Sequence, residues 1–583
     1  MKEYFEAEMR HLHETAQQFA KHHPGLATRL NLQAINDRDP YIERLLEGMA
    51  FLTGQIKQKI DDDLPEIYES LLAQMWPQIL RPMPSCTILK FQPEMRRLQK
   101  TYEIPAETVV MSQRVGTENT ICRFRTTVPL KLNPISIVMA RLITSKSGEV
   151  ILHLQFQSDA GIELKKLDLS ELKLYLHADS TLVLRLYYLL TSMVKSISIS
   201  FPEFIQMPEQ YLNGQDCIIP CHLKSQEDLL PHSDRSFSGF QQLLDYFCFR
   251  EKYFFVGLLG LNRIHWPDRC YQFDMAIHLK SSCYLEMEKF QKEYCLSLNN
   301  FQLHCVSAVN LFKTHCEPIR LTHYQSEYPL IADVNKSQSI QIYSVDKVVG
   351  KTENGDHYCY GEMHNYHHWT LALRYYYIHQ CWLTKQYPNY YLAIGGTSDL
   401  SFQSLSIDAT ATNGDYPRRY LGENFVDQQS FSLNHLCTVQ NIIRPSSLYY
   451  PPTYQHLHWI LLAQMSLNIS GISELQQFKK LLHCFNWNKK QENERQIAGI
   501  ETLMVKPIQE IHHGALMQGL EFHLQCHEEN YRSTADIYLF GTILHQFFRQ
   551  YVAINYFVTT KINCYPSNKE LQWKMEQGTS IPT

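Results

Sequence analysis

The chain has 583 residues, of which 44% are hydrophobic and 19% are charged, which is typical of soluble globular proteins. Its 54 Lys and Arg residues face 59 Asp and Glu residues, and the net charge of −5 gives no electrostatic argument for nucleic acid or an anionic membrane as a partner. The length predicts several domains, and no apolar run reaches the about 20 residues that span a bilayer.

The first predicted element is an amphipathic helix over residues 3–22. Phe5, Met9, Leu12 and Phe19 recur on one face of this helix with the helical period. The opening sequence lacks the apolar core of a signal peptide, and the sixteen cysteines include no CxxC pair. We therefore expect a cytoplasmic protein with reduced thiols.

A second, longer helix is predicted from Pro40, with Asp39 as its cap. Its apolar stripe runs from Ile42 to Ile60 and contains Leu45, Met49, Leu52 and Ile56. The acidic run 61–63 is expected to end this helix, and Pro65 to begin a short second one. The prolines of WPQILRPMPS (76–85) then forbid further helix and lead into a strand.

From Cys86 onward the pattern changes to alternating and β-branched residues separated by turn residues. We predict a multidomain α+β fold with four parts: an N-terminal helical unit (1–85), a β-rich domain (86–235), a second β-rich domain with long loops (236–430) and a C-terminal α+β domain (431–583). Thr534 is the expected cap of a last helix. This helix carries the apolar stripe Phe540, Leu544, Phe547 and Tyr551.

Candidate chemistry is sparse in this sequence. His357, Cys359, His364, His367 and His368 could bind zinc, which leaves a cytosolic metal-dependent hydrolase as an alternative function. No CxxC or HExxH pattern supports such a site, and phosphate-binding and nucleophile motifs are absent. We interpret the acidic run 61–63 as helix-terminal, and we expect no catalytic residue, no metal and no cofactor.

Several segments resemble one bacterial family in the right order. DPYIERLLEGMAFL (39–52), IDDDLPEIYESLL (60–72) and WPQILRPMPS (76–85) are similar to the N-terminal pattern of the TssF family (VasA- or ImpG-like), baseplate subunits of the type VI secretion system. GFQQLLDYF (239–247) and LFGTILHQFFRQY (539–551) resemble its central and C-terminal blocks, and TATNGDYP (410–417) is a loose version of its Thr-Asn turn. The region from about 351 to 391 matches nothing in the family.

The resemblance implies a structural protein and not an enzyme. It implies a wedge in which two TssF-like copies surround one TssG-like subunit, joined by TssK-like adaptors and a TssE-like sheath initiator around a VgrG-type spike. Such a platform would sit at the inner face of the cytoplasmic membrane without inserting into it. A baseplate wedge protein of a contractile phage tail is an alternative with the same role.

The three apolar stripes are the candidate partner-binding residues. They are Phe5, Met9, Leu12 and Phe19; Leu45, Met49, Leu52 and Ile56; and Phe540, Leu544, Phe547 and Tyr551. Each stripe needs a complementary apolar surface, either within the chain's own core or on a partner in a heteromeric bundle.

Overall fold

The structure of the protein is a computed structural model. The structure describes residues 2–22, 40–94, 97–144, 149–159, 161–204, 206–230, 238–280, 296–322, 325–336, 339–351, 357–363, 374–384, 387–396, 404–429, 435–452, 472–512 and 515–580, with the single residues 25 and 355. The chain divides into two compact units, 1–75 with 453–463 and 76–452 with 464–583. The domain boundaries expected at 235 and 430 stay predictions.

The first unit contains two described helices, α1 (Lys2–His22) and α2 (Pro40–Met75). The predicted helix over 3–22 and the start at Pro40 are confirmed, while Asp39 lies outside the described residues. The predicted break at 61–63 is wrong, because α2, which is 36 residues long, continues through Pro65. A proline in a helix interior costs about 3 kcal/mol, but it removes only one backbone hydrogen bond, and aspartate is tolerated within a helix. The turns on either side of Pro65 therefore keep α2 continuous.

The second unit is built mainly from sheets, with strands numbered in chain order. In spatial order, the six-stranded sheet contains β24 (Val426–Gln429), β3 (Val109–Val115), β4 (Thr120–Thr126), β15 (Cys305–Val309), β1 (Cys86–Pro93) and β25 (Cys437–Asn441). The five-stranded sheet that follows contains β10 (Gln210–Asn213), β9 (Val194–Ser200), β13 (Gln272–Leu279), β7 (Val150–Ser158) and β6 (Ile135–Thr144). A four-stranded sheet contains β11 (Ile218–Pro220), β12 (Phe255–Leu259), β8 (Glu171–Leu176) and β14 (Phe301–Leu303), and a two-stranded one pairs β2 (Tyr102–Ile104) with β5 (Leu130–Leu132).

Two further sheets follow. The eight-stranded sheet contains β16 (Phe312–His315), β23 (Ser404–Thr412), β19 (Gln341–Lys351), β20 (His357–Glu362), β21 (Tyr375–Thr384), β22 (Tyr387–Gly395) and β18 (Glu327–Pro329), with β17 (Ile319–Arg320) beside β23. The C-terminal sheet contains β26 (Ile500–His512), β27 (Ala515–His527), β28 (Phe557–Tyr565) and β29 (Lys569–Gln572), with β30 (Glu576–Gln577) beside β28. The multidomain α+β class is thereby confirmed.

The helices found in the described part of the second unit are short except for the last. They are α3 (Ser180–Ser192), α4 (Gly214–Cys217), α5 (Ser238–Cys248), α6 (Tyr416–Tyr420), α7 (Leu475–Phe485), α8 (Gln491–Ala498) and α9 (Thr534–Tyr551). Thr534 is the first residue of α9, and Ser533 occupies the cap position without a side-chain hydrogen bond. The expected cap at Thr534 is therefore wrong by one residue. Helix α9 connects β27 to β28, which run parallel, as a βαβ crossover.

Buried polar residues join distant segments of this unit. The Asn413 side chain accepts hydrogen bonds from the Arg123 amide (3.2 Å) and from the Asn310 side chain (2.9 Å), and it donates one to the Ser339 carbonyl (3.0 Å). Asn413 is fully buried, so water does not reach its side chain. The protein hydrogen bonds satisfy its polar atoms instead. The Thr-Asn turn at 410–417, at the end of β23, is thus a structural connection to β4, to the residue that follows β15 and to the loop that contains Ser339.

A buried ion cluster joins α5 to the segments before and after it. The Lys252 ammonium lies 2.6 Å from Asp245 and 3.3 Å from Asp228, and all three side chains are inaccessible or nearly so. Asp245 also accepts hydrogen bonds from the Gln241 side chain and the Leu229 amide. One lysine cannot neutralise two carboxylates. Burial raises the pKa of Asp228 to about 7, although the neighbouring Lys252 ammonium acts to lower this pKa.

Candidate partner-binding surface

Helices α1 and α2 pack through small residues of α2. Ala50 and Gly54 are four positions apart and both are buried. A Cβ added at Gly54 would lie 3.3 Å from the Phe5 backbone nitrogen, so glycine is what allows the α1 backbone to approach. Phe5 lies beside Gly54 and His13 beside Glu43, which means that the helices run antiparallel.

Two polar contacts lie at the borders of this packing. The His13 ring nitrogen Nε2 lies 3.1 Å from a Glu43 carboxylate oxygen. The Lys57 ammonium donates to Glu8 at 3.0 Å, and this hydrogen bond lowers the pKa of Glu8. These contacts fix the side of α2 that meets α1.

A different side of α2 carries the exposed apolar stripe. Leu45, Met49, Leu52 and Ile56 are 65%, 50%, 60% and 60% exposed. At 100° per residue these four side chains fall within about 60° of arc, roughly 100° or more away from Ala50. The apolar stripe expected from the sequence is therefore divided: small residues pack against α1, and large ones face outward.

The spacing of the exposed residues is that of a helix-pairing seam. Positions 45, 49, 52 and 56 are separated by four, three and four residues, the pattern in which apolar residues of one helix insert between those of another. We call Leu45, Met49, Leu52 and Ile56 the α2 seam. Large apolar side chains that recur on one exposed face are typical of surfaces that associate through apolar contact.

The α1 residues differ in exposure. Phe5, Met9 and Leu12 are half-buried, and Phe19 is 38% exposed near the end of α1. The first three residues thus have part of their surface inside the unit and part available outside it. They border the surface and do not form a second stripe as exposed as the α2 seam.

The C-terminal stripe lies inside the second unit. Phe540, Leu544 and Phe547 are fully buried, and Tyr551 is 5% exposed. Phe540 contacts Tyr246 of α5 with ring centroids 5.6 Å apart, and Phe547 contacts Phe240 at 6.1 Å. These four residues supply core packing within their own chain, so the surface proposed below contains only residues of α1 and α2.

The histidine-rich region is only partly described. His357 and Cys359 lie two positions apart on β20, whereas His364, His367 and His368 lie outside the described residues. Within the described part of the chain, no group of three His, Cys, Asp or Glu side chains could hold a metal ion. The side chains of the acidic run 61–63 also lie outside the part that is described.

Two features of this surface were not predicted from the sequence. The pairing of Ala50 with Gly54 could have been found, since small residues four apart mark one helical face that a neighbouring backbone can approach. The Glu8–Lys57 and His13–Glu43 contacts join residues 49 and 30 positions apart, and no local pattern indicates them. Among the described helices, none is both long and apolar enough to cross a membrane.

Comparison with known proteins gives one consistent family. A family profile described as "Type VI secretion system, TssF" matches residues 1–580. The type VI secretion system component TssF1 of Pseudomonas aeruginosa is 25% identical over 622 aligned positions, covering 99% of this chain and 98% of that protein.

Two solved structures are similar over nearly the whole chain. A chain of the TssK-TssF-TssG baseplate subcomplex of the type VI secretion system, determined by cryo-electron microscopy, matches with a TM-score of 0.78 and 28% identity, covering 93% of this chain and 100% of that one. A chain of the type VI secretion system baseplate complex matches with a TM-score of 0.63 and 26% identity, covering 100% of both.

Proposed function

Because the chain belongs to the TssF family of type VI secretion system baseplate components, we propose that it acts as a wedge subunit that assembles with TssG-like and TssK-like subunits. The similar chain in the TssK-TssF-TssG subcomplex supports these two partners. The family is one of structural proteins and not of enzymes, so the metal-dependent hydrolase considered from the sequence is not proposed. The match favours the type VI system over a contractile phage tail.

The α2 seam is the observation that carries this proposal. Four large apolar side chains, each at least half exposed, stand at helix-pairing spacing on one face. Burying such side chains fully is worth about 1.5–3 kcal/mol each, so a partner helix that covers them gains a large driving force. We assign this surface to a heteromeric helical bundle that contains the TssG-like subunit and a second TssF-like copy.

The remaining partners rest on the family resemblance alone. A TssE-like sheath initiator and a VgrG-type spike would complete the platform from which tube and sheath assemble. The assembled baseplate would stand at the inner face of the cytoplasmic membrane. In this function the protein works through its interfaces, which hold the wedges until a conformational signal releases the sheath.

The test is a paired substitution in the α2 seam. Leu45→Asp with Met49→Asp places two charges where an apolar partner surface should contact the helix, and burial of an unpaired charge is costly. Both side chains are exposed in the chain alone, so the fold should survive. We expect normal expression and an unchanged unfolding midpoint, with loss of co-purification with the TssG-like subunit.

The matched control is Arg44→Asp with Gln55→Asp, two exposed positions of α2 outside the seam. This variant introduces the same number of carboxylates and should co-purify normally. Full assembly and secretion by the Leu45→Asp, Met49→Asp variant would contradict the proposal.

A further inference from the structure

Strand β26 is an outer strand of the C-terminal sheet. It pairs with β27 on one side, and no described strand lies on its other side. The pairing is regular from Thr502↔Gln525 to His512↔Ala515, so the outer edge is continuous over this stretch. Met504 is 55% exposed, and Lys506, Pro507, Gln509 and Glu510 are exposed as well.

The position of Pro507 fixes which backbone groups face outward. Proline has no N–H, and within a sheet it is confined to edge strands with its nitrogen directed away from the ladder. Because backbone groups of an antiparallel strand alternate in direction, Val505 and Gln509 also direct their N–H and C=O groups outward. The edge thus offers hydrogen bonds on both sides of the proline, while Pro507 itself offers only its carbonyl.

The charges on this strand are symmetric about Ile508. Lys506 and Glu510 lie two positions before and after it, so both point to the same face as Ile508. Lys506 stands opposite Glu521 on β27, but the two oxygens of Glu521 are already engaged by Lys561 at 2.7 Å and His523 at 2.6 Å. Among the described residues, Lys506 and Glu510 form no ion pair of their own.

From this geometry we propose that a second copy of the chain pairs antiparallel along β26, about a two-fold axis at Ile508. In that register Lys506 of each copy lies opposite Glu510 of the other, and the two Ile508 side chains meet at the axis. The carbonyl of each Pro507 accepts a hydrogen bond from the Gln509 amide of the other copy. Opposite charges directly across a strand pair stabilise it, and like charges destabilise it.

Charge complementarity selects a second copy as the occupant. Lysine and proline on an edge strand generally disfavour pairing with another strand. A strand that pairs with β26 must therefore offset the charge of Lys506 and the missing N–H of Pro507. An antiparallel partner strand must place an acid across from Lys506, an apolar residue across from Ile508 and a base across from Glu510. A second copy of β26, rotated by 180° about an axis at Ile508, places its residues in this way. An interface between two identical surfaces requires such a match.

Cysteine cross-linking in cells that produce the full-length chain tests this register. In a Cys359→Ser background, which removes an exposed thiol, Ile508→Cys places two thiols at the axis. Directly opposite residues of a pair without mutual hydrogen bonds have Cα atoms about 4.5 Å apart, within the range of a disulfide. Mild oxidation should give a covalent dimer with twice the chain mass. Gln572→Cys, exposed on β29 of the same sheet, should give only background.

Charge exchange provides the second arm. Lys506→Glu or Glu510→Lys alone puts like charges in contact and should lower the Ile508→Cys dimer yield several-fold, whereas the two substitutions together should restore it. The inference is overturned if Ile508→Cys yields no more dimer than Gln572→Cys. It is also overturned if the double exchange fails to restore the dimer, or if the cross-linked product contains a different polypeptide.

This inference rests on the proposed function only for the presence of a second copy in one assembly. The two fail separately. Loss of the β26 dimer with intact co-purification through the α2 seam would leave the proposed function standing. An intact dimer with co-purification that is indifferent to the seam would contradict the proposed function alone.

Discussion

At the residue scale, the cluster of Asp228, Asp245 and Lys252 sets a pH dependence of stability. Its side chains are buried, and Asp228 keeps one oxygen without a hydrogen bond within the described residues. Burial raises the pKa of Asp228 to about 7, from about 3.9 in an unfolded chain. Between these values the folded state holds a proton that the unfolded state has lost, and stability falls as pH rises.

Replacing Asp228 by Asn should remove this dependence. Asn keeps the shape of the side chain without a charge, and Lys252 keeps Asp245 as its counterion at 2.6 Å. We expect the stability of the wild-type chain to fall relative to that of Asp228→Asn as the pH rises from about 4 to about 7. Denaturant unfolding across this pH range measures the difference. Parallel pH profiles for the two proteins would show that Asp228 ionises normally in the fold.

At the element scale, α2 carries buried small residues on one face and exposed large apolar residues on another. Ala50 and Gly54 accept α1 at close range, while the α2 seam remains outside. The periodicity of apolar residues correctly predicted a helix that begins at Pro40, although not its continuation past residue 61. It could not tell which apolar residues face which neighbour, since an inward stripe and an outward one have the same period.

The two glycines of α2 provide a matched test of the close packing. Gly54→Leu places a side chain against the α1 backbone, whereas a Cβ added at Gly48 has no neighbouring atom within 4 Å. We expect Gly54→Leu to destabilise the α1–α2 pair by about 1–3 kcal/mol through overpacking. Gly48→Leu should be neutral or stabilising by up to about 1 kcal/mol, because Leu favours the helix over Gly. Hydrogen exchange of α1 amides reports both, and equal exchange in the two variants would contradict the packing described.

Helix α9 gives the opposite outcome for a stripe of similar appearance. Leu544 is fully buried in a core that also contains Phe478 and Phe522, so Leu544→Ala should leave a cavity and cost about 2–5 kcal/mol of stability. Thermal unfolding of the purified chain checks this, with Leu52→Ala on the exposed α2 seam as the control that should change little. An unchanged midpoint for Leu544→Ala would show that α9 is not a core helix.

At the scale of the whole molecule, the sequence predicted the class and most elements because local patterns carry that information. The switch to strands near Cys86 and the existence of α9, placed within one residue of its start, follow from periodicity and turn residues. The burial of the α9 stripe depended on long-range structure instead. The continuation of α2 through Pro65 was missed because one proline was given more weight than the helical turns that flank it. The family resemblance could not distinguish residues that pack in the chain's own core from residues that would contact a partner. Both kinds of residue lie in the apolar segments that carry the resemblance.

The most direct test of the central claim is thiol labelling of α2 in the assembled baseplate. Leu52→Cys, placed in the seam, should react quickly with a maleimide in the free chain, where position 52 is 60% exposed. Once the TssG-like and TssK-like subunits are bound, its labelling should slow at least tenfold, while Glu47→Cys, an exposed position of α2 outside the seam, should react as before. Equally fast labelling of Leu52→Cys in the free chain and in the assembled wedge would contradict the account.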